Sequence, residues 1–251
     1  MKLSRIEIVD KTVFLGLMQQ TGSLYLIPVP ITEGALQTLP AEISKCTLEL
    51  AHYFVEDLRT SRRFLKALHP SIIIDNLHFS EIDKHNGANL GLLKQWLKEG
   101  HKVGILSESG CPGIADPGAE MAAIAQQMGA KVIPLTGPNS IILALMASGL
   151  NGQSFCFNGY LPVKEPARGQ RIKTLEQISQ KEKQTQIFIE TPYRNEVIFA
   201  DFLKNCQGKT LLCIAKNISA PDAFIRTKTI SEWKKDIPVL GKIPAVFLFL
   251  A

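Results

Sequence analysis

No apolar run in this sequence approaches the roughly 20 residues that a membrane-spanning helix needs, so no membrane segment is expected. The apolar stretch from Thr12 to Met18 is short, follows Glu7 and Asp10, and has no small-residue cleavage site. It is a poor signal peptide and reads as an extension ahead of the first strand, with Met18 an alternative start. Cysteine is sparse: Cys46, Cys111, Cys156, Cys206 and Cys213 are scattered, odd in number and never spaced as CxxC. That usage excludes a disulfide framework and a zinc site, and it predicts reduced thiols in a cytoplasmic protein. The five histidines share no ligand spacing, so no metal is expected. Low-complexity segments and internal repeats are missing too. Neither a GK[ST] phosphate loop nor a GxGxxG dinucleotide fingerprint occurs.

What is present is the composition of a folded protein. The 251 residues allow one large domain or two smaller ones, and hydrophobic residues at 45% against charged residues at 20% fit a chain with buried cores. Lys plus Arg at 28 against Asp plus Glu at 23 leaves a net charge of +5, compatible with a polyanionic partner.

Short apolar runs alternate with helical patterns. Strands are expected at Leu24–Val29, Tyr53–Val55, Ile72–Ile74, Val103–Leu106 and Val132–Leu135, with helices at Leu58–Leu68, Leu90–Lys98 and Glu120–Met128. Such alternation implies a parallel sheet covered by helices. A second series, Phe155–Phe157, Ile187–Ile189, Leu211–Ala215, Phe224–Thr227 and Ala245–Leu250, ends without a long helix between its last strands. That sheet should be mixed or antiparallel at one edge. The break falls near Thr136-Gly137-Pro138 or just after a helix at Ser140–Ser148. The expected organisation is an extension at 1–21 and two α/β domains, 22–136 and 137–251.

One stretch stands out. SESGCPGIADPG, residues 107–118, places three glycines and two prolines between a strand and a helix. In open α/β sheets ligands bind beyond the carboxyl ends of the strands. Gly110, Gly113 and Gly118 would let a ligand approach bare backbone, Pro112 and Pro117 would stiffen the loop, and Asp116 would cap the helix. A plain strand-to-helix connection explains the composition equally well.

Taken together, LYLIPVPI at 24–31, VEDLRTSRRFL at 55–65, SESGCPGIADPG, IPLTGPNSIILAL at 133–145, FCFNGYLP at 155–162 and FIETPYR at 188–194 resemble the tetrapyrrole-methylase superfamily. Within it the chain is most similar to the ribosomal RNA small subunit methyltransferase I type. The resemblance runs from about Gly22 onward. It implies two α/β domains with the cofactor cleft between them, a homodimer, S-adenosylmethionine as cofactor, and methylation of a cytidine ribose 2′-hydroxyl in 16S ribosomal RNA, naked or in the small ribosomal subunit. Pro30, Ser109, Gly110, Cys111, Ile114, Asn139 and Ser140 would then contact the cofactor, together with Glu190 or its neighbours. The chain departs from the pattern with Ile31-Thr32-Glu33-Gly34 after the first strand, Cys111 in place of a threonine, Lys216-Asn217, and Ile243-Pro244.

Under that resemblance, three carboxylates, Glu56, Asp57 and Glu190, are candidates for the base that takes the hydroxyl proton. Arg59, Arg62, Arg63 and Lys66 recur on one side of a helix, a phosphate-binding footprint whose bland counterpart is a solvated face. Arg194 could face the same site, and the stretch Lys164–Lys183 adds a second basic surface. Two alternatives stand beside the RNA reading. One is methylation of a tetrapyrrole ring, against which the extended basic stripe argues. The other is a non-catalytic RNA- or cofactor-binding module.

Overall fold

The computed structural model describes residues 21–83 and 85–251; the Thr12–Met18 stretch and most of the 1–21 extension lie outside them. Contacts gather the chain into two units. The first holds the described chain up to Ile27, Glu42–Glu108 and Pro112–Leu135; the second holds Pro28–Ala41, Ser109–Cys111 and Thr136–Ala251.

In the first unit β1 (Ser23–Ile27) is followed by α1 (Ala41–Leu48), β2 (His52–Val55), α2 (Leu58–Leu68), β3 (His78–Glu81), α3 (Leu90–Lys98), β4 (Lys102–Leu106), α4 (Gly118–Gln127) and β5 (Lys131–Pro134). The strands form a parallel sheet in the order β3-β2-β4-β1-β5. Leu24, Phe54, Val103 and Ile105 pack against Trp96 of α3 and Met121 of α4. At mid-sheet Gly104 is a packing requirement: a Cβ there would lie 2.8 Å from Ile27 and 2.9 Å from Tyr53.

Two expected strands are corrected. β1 stops at Ile27, because Pro28 has no N–H to continue the ladder, and Val29 pairs antiparallel with Gly110 instead. Ile72–Ile74 is not a strand: a short 3₁₀ turn spans Ile74–Asn76, and Ile73 is 61% exposed. The strand is the more polar His78–Glu81, selected by its register on β2 (His52↔His78 to Val55↔Glu81). β-Branched composition marks what fits a pleated surface, and the partner strand decides where that surface is.

The second unit continues with α5 (Ser140–Ser148), β6 (Phe155–Phe157), α6 (Ala167–Glu182), β7 (Thr185–Glu190), α7 (Asn195–Asn205), β8 (Leu211–Lys216), β9 (Phe224–Thr229), α8 (Ile230–Trp233) and β10 (Ala245–Leu250). Its sheet is mixed, in the order β6-β7-β10-β8-β9, parallel at β6–β7 and antiparallel elsewhere. Alternate side chains of β10 go to opposite faces, as a two-residue period dictates. Val246 and Leu248 join Ile141, Ala144 and Leu145 of α5, while Phe247 and Phe249 meet Phe188 and Phe202. The apolar Ala245–Leu250 run is thus core of this sheet. Among the described residues no helix is long and apolar enough to cross a membrane.

Candidate functional site

The glycine-rich loop follows β4, as its position in the sequence predicts. Val29 and Gly110 exchange backbone hydrogen bonds of 2.9 and 3.2 Å. Gly110 has φ +76° and Gly113 φ +85°, the left-handed region where a side chain is strained. Asp116 ties the far end together: its Oδ1 accepts from the N–H of Gly113 and, at 2.8 Å, from that of Gly118, the first residue of α4. Burial raises the Asp116 pKa, and the two backbone donors pull it back only in part. A Cβ at Gly118 would sit 2.7 Å from the Gly113 nitrogen, so the tie closes only around a glycine.

Six of the seven residues expected to touch cofactor fall in the second unit: Pro30, Ser109, Gly110, Cys111, Asn139 and Ser140. Ile114 belongs to the first and is 48% exposed. The Cys111 thiol donates to the Pro138 carbonyl at 3.3 Å and lies 3.7 Å from that of Gly137, which fixes the loop to the segment entering α5. Gly137 is forced by Pro28, whose Cβ and Cγ lie 2.1 and 2.5 Å from where its own Cβ would be. Asn139 is the N-cap of α5, its Oδ1 accepting from Ile141 and Ile142 at 3.0 and 3.1 Å. Two donors that a free helix start would offer a ligand are therefore already taken.

The three carboxylates occupy different environments. Asp57 is the N-cap of α2, accepting from the Thr60 N–H at 2.7 Å, and that bond holds its pKa below the usual range. The Glu190 side chain is almost fully buried: Oε1 accepts from the Thr191 N–H at 2.8 Å, and Oε2 lies 3.3 Å from the Arg194 guanidinium. Arg194 also reaches the Pro162 carbonyl at 3.4 Å, so this pair clips the β7–α7 turn. Half-buried Glu56 accepts the Glu108 N–H at 3.2 Å, one residue before Ser109.

Arg59, Arg62, Arg63 and Lys66 are all exposed on α2, whose buried side carries Ser61 and Leu65. Asp57, Leu58, Arg59, Arg62, Arg63 and Glu81 line a hollow of ≈ 450 Å³. Lys66 lies outside it and donates to the Pro70 carbonyl at 3.1 Å. Sequence reasoning missed Glu81, which accepts from Leu58 N–H at 3.4 Å, and Phe79, whose ring lies 5.5 Å below the Arg62 guanidinium carbon. Both are on β3, and the misplaced Ile72–Ile74 strand hid them. The basic stretch Lys164–Lys183 is also corrected in part. Arg168 is 6% exposed, with its guanidinium on Asp201 and the carbonyl of Val163, and contributes nothing to a surface charge. Among the described residues no cluster of three or more His, Cys, Asp or Glu side chains could hold a metal ion.

No family model matches the chain. It is 33% identical over 225 residues to the ribosomal RNA small subunit methyltransferase I of Halalkalibacterium halodurans, covering 88% of this chain and 74% of that protein. Among solved structures, diphthine synthase superposes with a TM-score of 0.65 at 13% identity, covering 92% of this chain and 90% of the other. The uroporphyrin-III C-methyltransferase of Thermus thermophilus, in complex with S-adenosyl homocysteine, gives a TM-score of 0.53 at 15% identity over 91% and 97%. These two likenesses establish the fold. On the identity to a curated relative across most of both sequences, the chain belongs to the ribosomal RNA small subunit methyltransferase I family and has the fold of the tetrapyrrole methylases.

Proposed function

We propose that the protein uses S-adenosylmethionine to methylate a ribose 2′-hydroxyl of 16S ribosomal RNA. Family membership carries this reading, since the relative at 33% identity is named for action on small-subunit ribosomal RNA. The exposed arginines of α2 supply the phosphate-binding chemistry that such a substrate needs.

The second-unit residues fit the cofactor. Gly110 keeps bare backbone where a Cβ would come to 3.4 Å from Ile31 Cγ2 and 3.6 Å from the Pro138 oxygen. Pro30 lies next to its pairing partner Val29, and Cys111 locks the loop in place. Bound S-adenosylmethionine would supply an electrophilic methyl group on a sulfonium. The protein's part is then alignment of the acceptor oxygen and removal of its proton. Of the three carboxylates we assign Glu56 as the base: the capping bond from Thr60 lowers the Asp57 pKa and weakens it as a proton acceptor, and Glu190 is buried against Arg194. Glu56→Gln should lower kcat by roughly 10²- to 10⁴-fold with little change in cofactor affinity.

The test offers purified protein and labelled cofactor to cytidine, naked 16S RNA, small ribosomal subunits and a corrinoid precursor. Label on RNA or subunits, with none on cytidine, is the expected result. Efficient labelling of the corrinoid precursor with no RNA product refutes the proposal.

A further inference from the structure

Two of the four tyrosines stand in solvent at one edge of the second sheet: Tyr160 is 58% exposed and Tyr193 77%. The parallel neighbours β6 and β7 lead to them. Asn158 N–H donates to the Ile187 carbonyl at 2.9 Å, and Ile189 N–H to the Gly159 carbonyl at 3.1 Å, so the two strand ends run side by side. Arg194 joins the following turns through the Pro162 carbonyl. A cation lies against one ring, and others lie near the turn that carries the second. Lys242 Nζ lies 5.3 Å from the Tyr193 ring centroid, and the Arg171 guanidinium donates at 3.4 Å to Asn158, two residues before Tyr160. Exposed Lys164 follows the same turn.

A single exposed tyrosine is ordinary. Two in the turns that follow adjoining strands, with Lys164, Arg171 and Lys242 on or near those turns, combine ring faces with phosphate partners, which is the chemistry that recognises unpaired nucleic acid. Duplex RNA hides its base faces in its own stack and has no use for the rings. We infer that Tyr160 and Tyr193 form a stacking platform for unpaired bases of an RNA strand, with the three cations beside its phosphates. This rests on the RNA reading above and adds a binding element to it.

The experiment measures binding of the full chain to a labelled single-stranded oligoribonucleotide and to a duplex hairpin over a salt series. It also measures methyl transfer to 16S RNA. Tyr193→Ala and Tyr160→Ala should each weaken single-strand binding by on the order of tenfold, leave the duplex alone and keep the salt slope, because stacking displaces no counterions. Tyr193→Phe should bind as the parent does. Lys242→Ala should instead reduce the salt slope by about one. Unchanged single-strand affinity in the double alanine variant, an equal loss on duplex, or a loss with Tyr193→Phe overturns the platform. If 16S RNA is still methylated in that case, the proposed function stands. If the parent protein neither binds nor methylates RNA, both fall.

Discussion

Replacing Gly137 with alanine puts one methyl group where Pro28 already is. The new Cβ would lie 2.1 Å from Pro28 Cβ and 2.5 Å from its Cγ. Relaxed carbon–carbon contacts lie near 3.5–4.0 Å, so the two must part by roughly 1.5 Å. Pro28 has little freedom to give: its ring fixes φ, it is buried, and the next residue is pinned to Gly110. Overpacking of this kind costs about 1–3 kcal/mol, and the rigid partner puts the expected loss near 3 kcal/mol. The distortion also reaches the Pro138 carbonyl that holds the Cys111 thiol, so cofactor affinity should drop with stability. The assay is urea unfolding of four proteins, Gly137→Ala, Pro28→Gly, the double variant and Gly152→Ala, with cofactor calorimetry on each. Gly152 faces open space, and its variant should stay within about 0.5 kcal/mol of the parent. Pro28→Gly removes both clashing atoms, so the double variant should be more stable than the two losses added together by at least about 1.5 kcal/mol. Strict additivity, or a Gly137→Ala protein as stable as Gly152→Ala, would refute the steric account.

Other expectations follow from the same geometry. Arg59→Ala, Arg62→Ala, Arg63→Ala and Lys66→Ala should each weaken RNA binding and reduce its salt slope by about one, leaving cofactor affinity intact; an unmoved slope would make the stripe a solvated face. Arg168→Ala leaves the Asp201 carboxylate buried without its guanidinium and should cost about 3–5 kcal/mol in thermal unfolding, against about 0.5 kcal/mol or less for exposed Lys173→Ala. For Asp57 the folded pKa is depressed, so its contribution is present above the unfolded pKa and is lost as pH falls through the folded one. Asp57→Asn keeps a side-chain cap and should flatten the acid limb of the stability profile. A parent-like acid limb in that variant would remove Asp57 from the account.

The sequence makes some of this legible and hides the rest for physical reasons. The last strands, with no long helix between them, point to a mixed second sheet, and β8–β9 pair antiparallel as that pattern demands. The helix Leu58–Leu68 has the predicted bounds, since Asp57 caps it and Leu65 anchors its inner face. What stays hidden depends on partners distant in the chain. Arg168 reads as one more cation of a basic stretch until Asp201, on another helix, is brought against it. Arg194 shows no structural partner in the sequence until β7 delivers Glu190 to it. His78–Glu81 carries a weak strand signal because it pairs on one side only, with β2, and its composition need not be strongly apolar. At the glycine loop, composition announces close approach of backbone, but not that Val29 and Ile31 are among what approaches.

β10 is the last strand of its sheet to be synthesised, yet it lies at the sheet's centre, between β7 and β8. A nascent chain can therefore close the β8–β9 hairpin early, while β7 and β8 wait with unpaired edges for a strand still to be made. Until it arrives, Phe188 and Phe202 lack the two rings of Phe247 and Phe249 that finish their cluster. Such non-local closure is slow, and exposed strand edges invite pairing with other chains. The growing polypeptide should thus pass through a stage that depends on chaperone protection, and substitutions in β10 should lower soluble yield out of proportion to their effect on the finished fold.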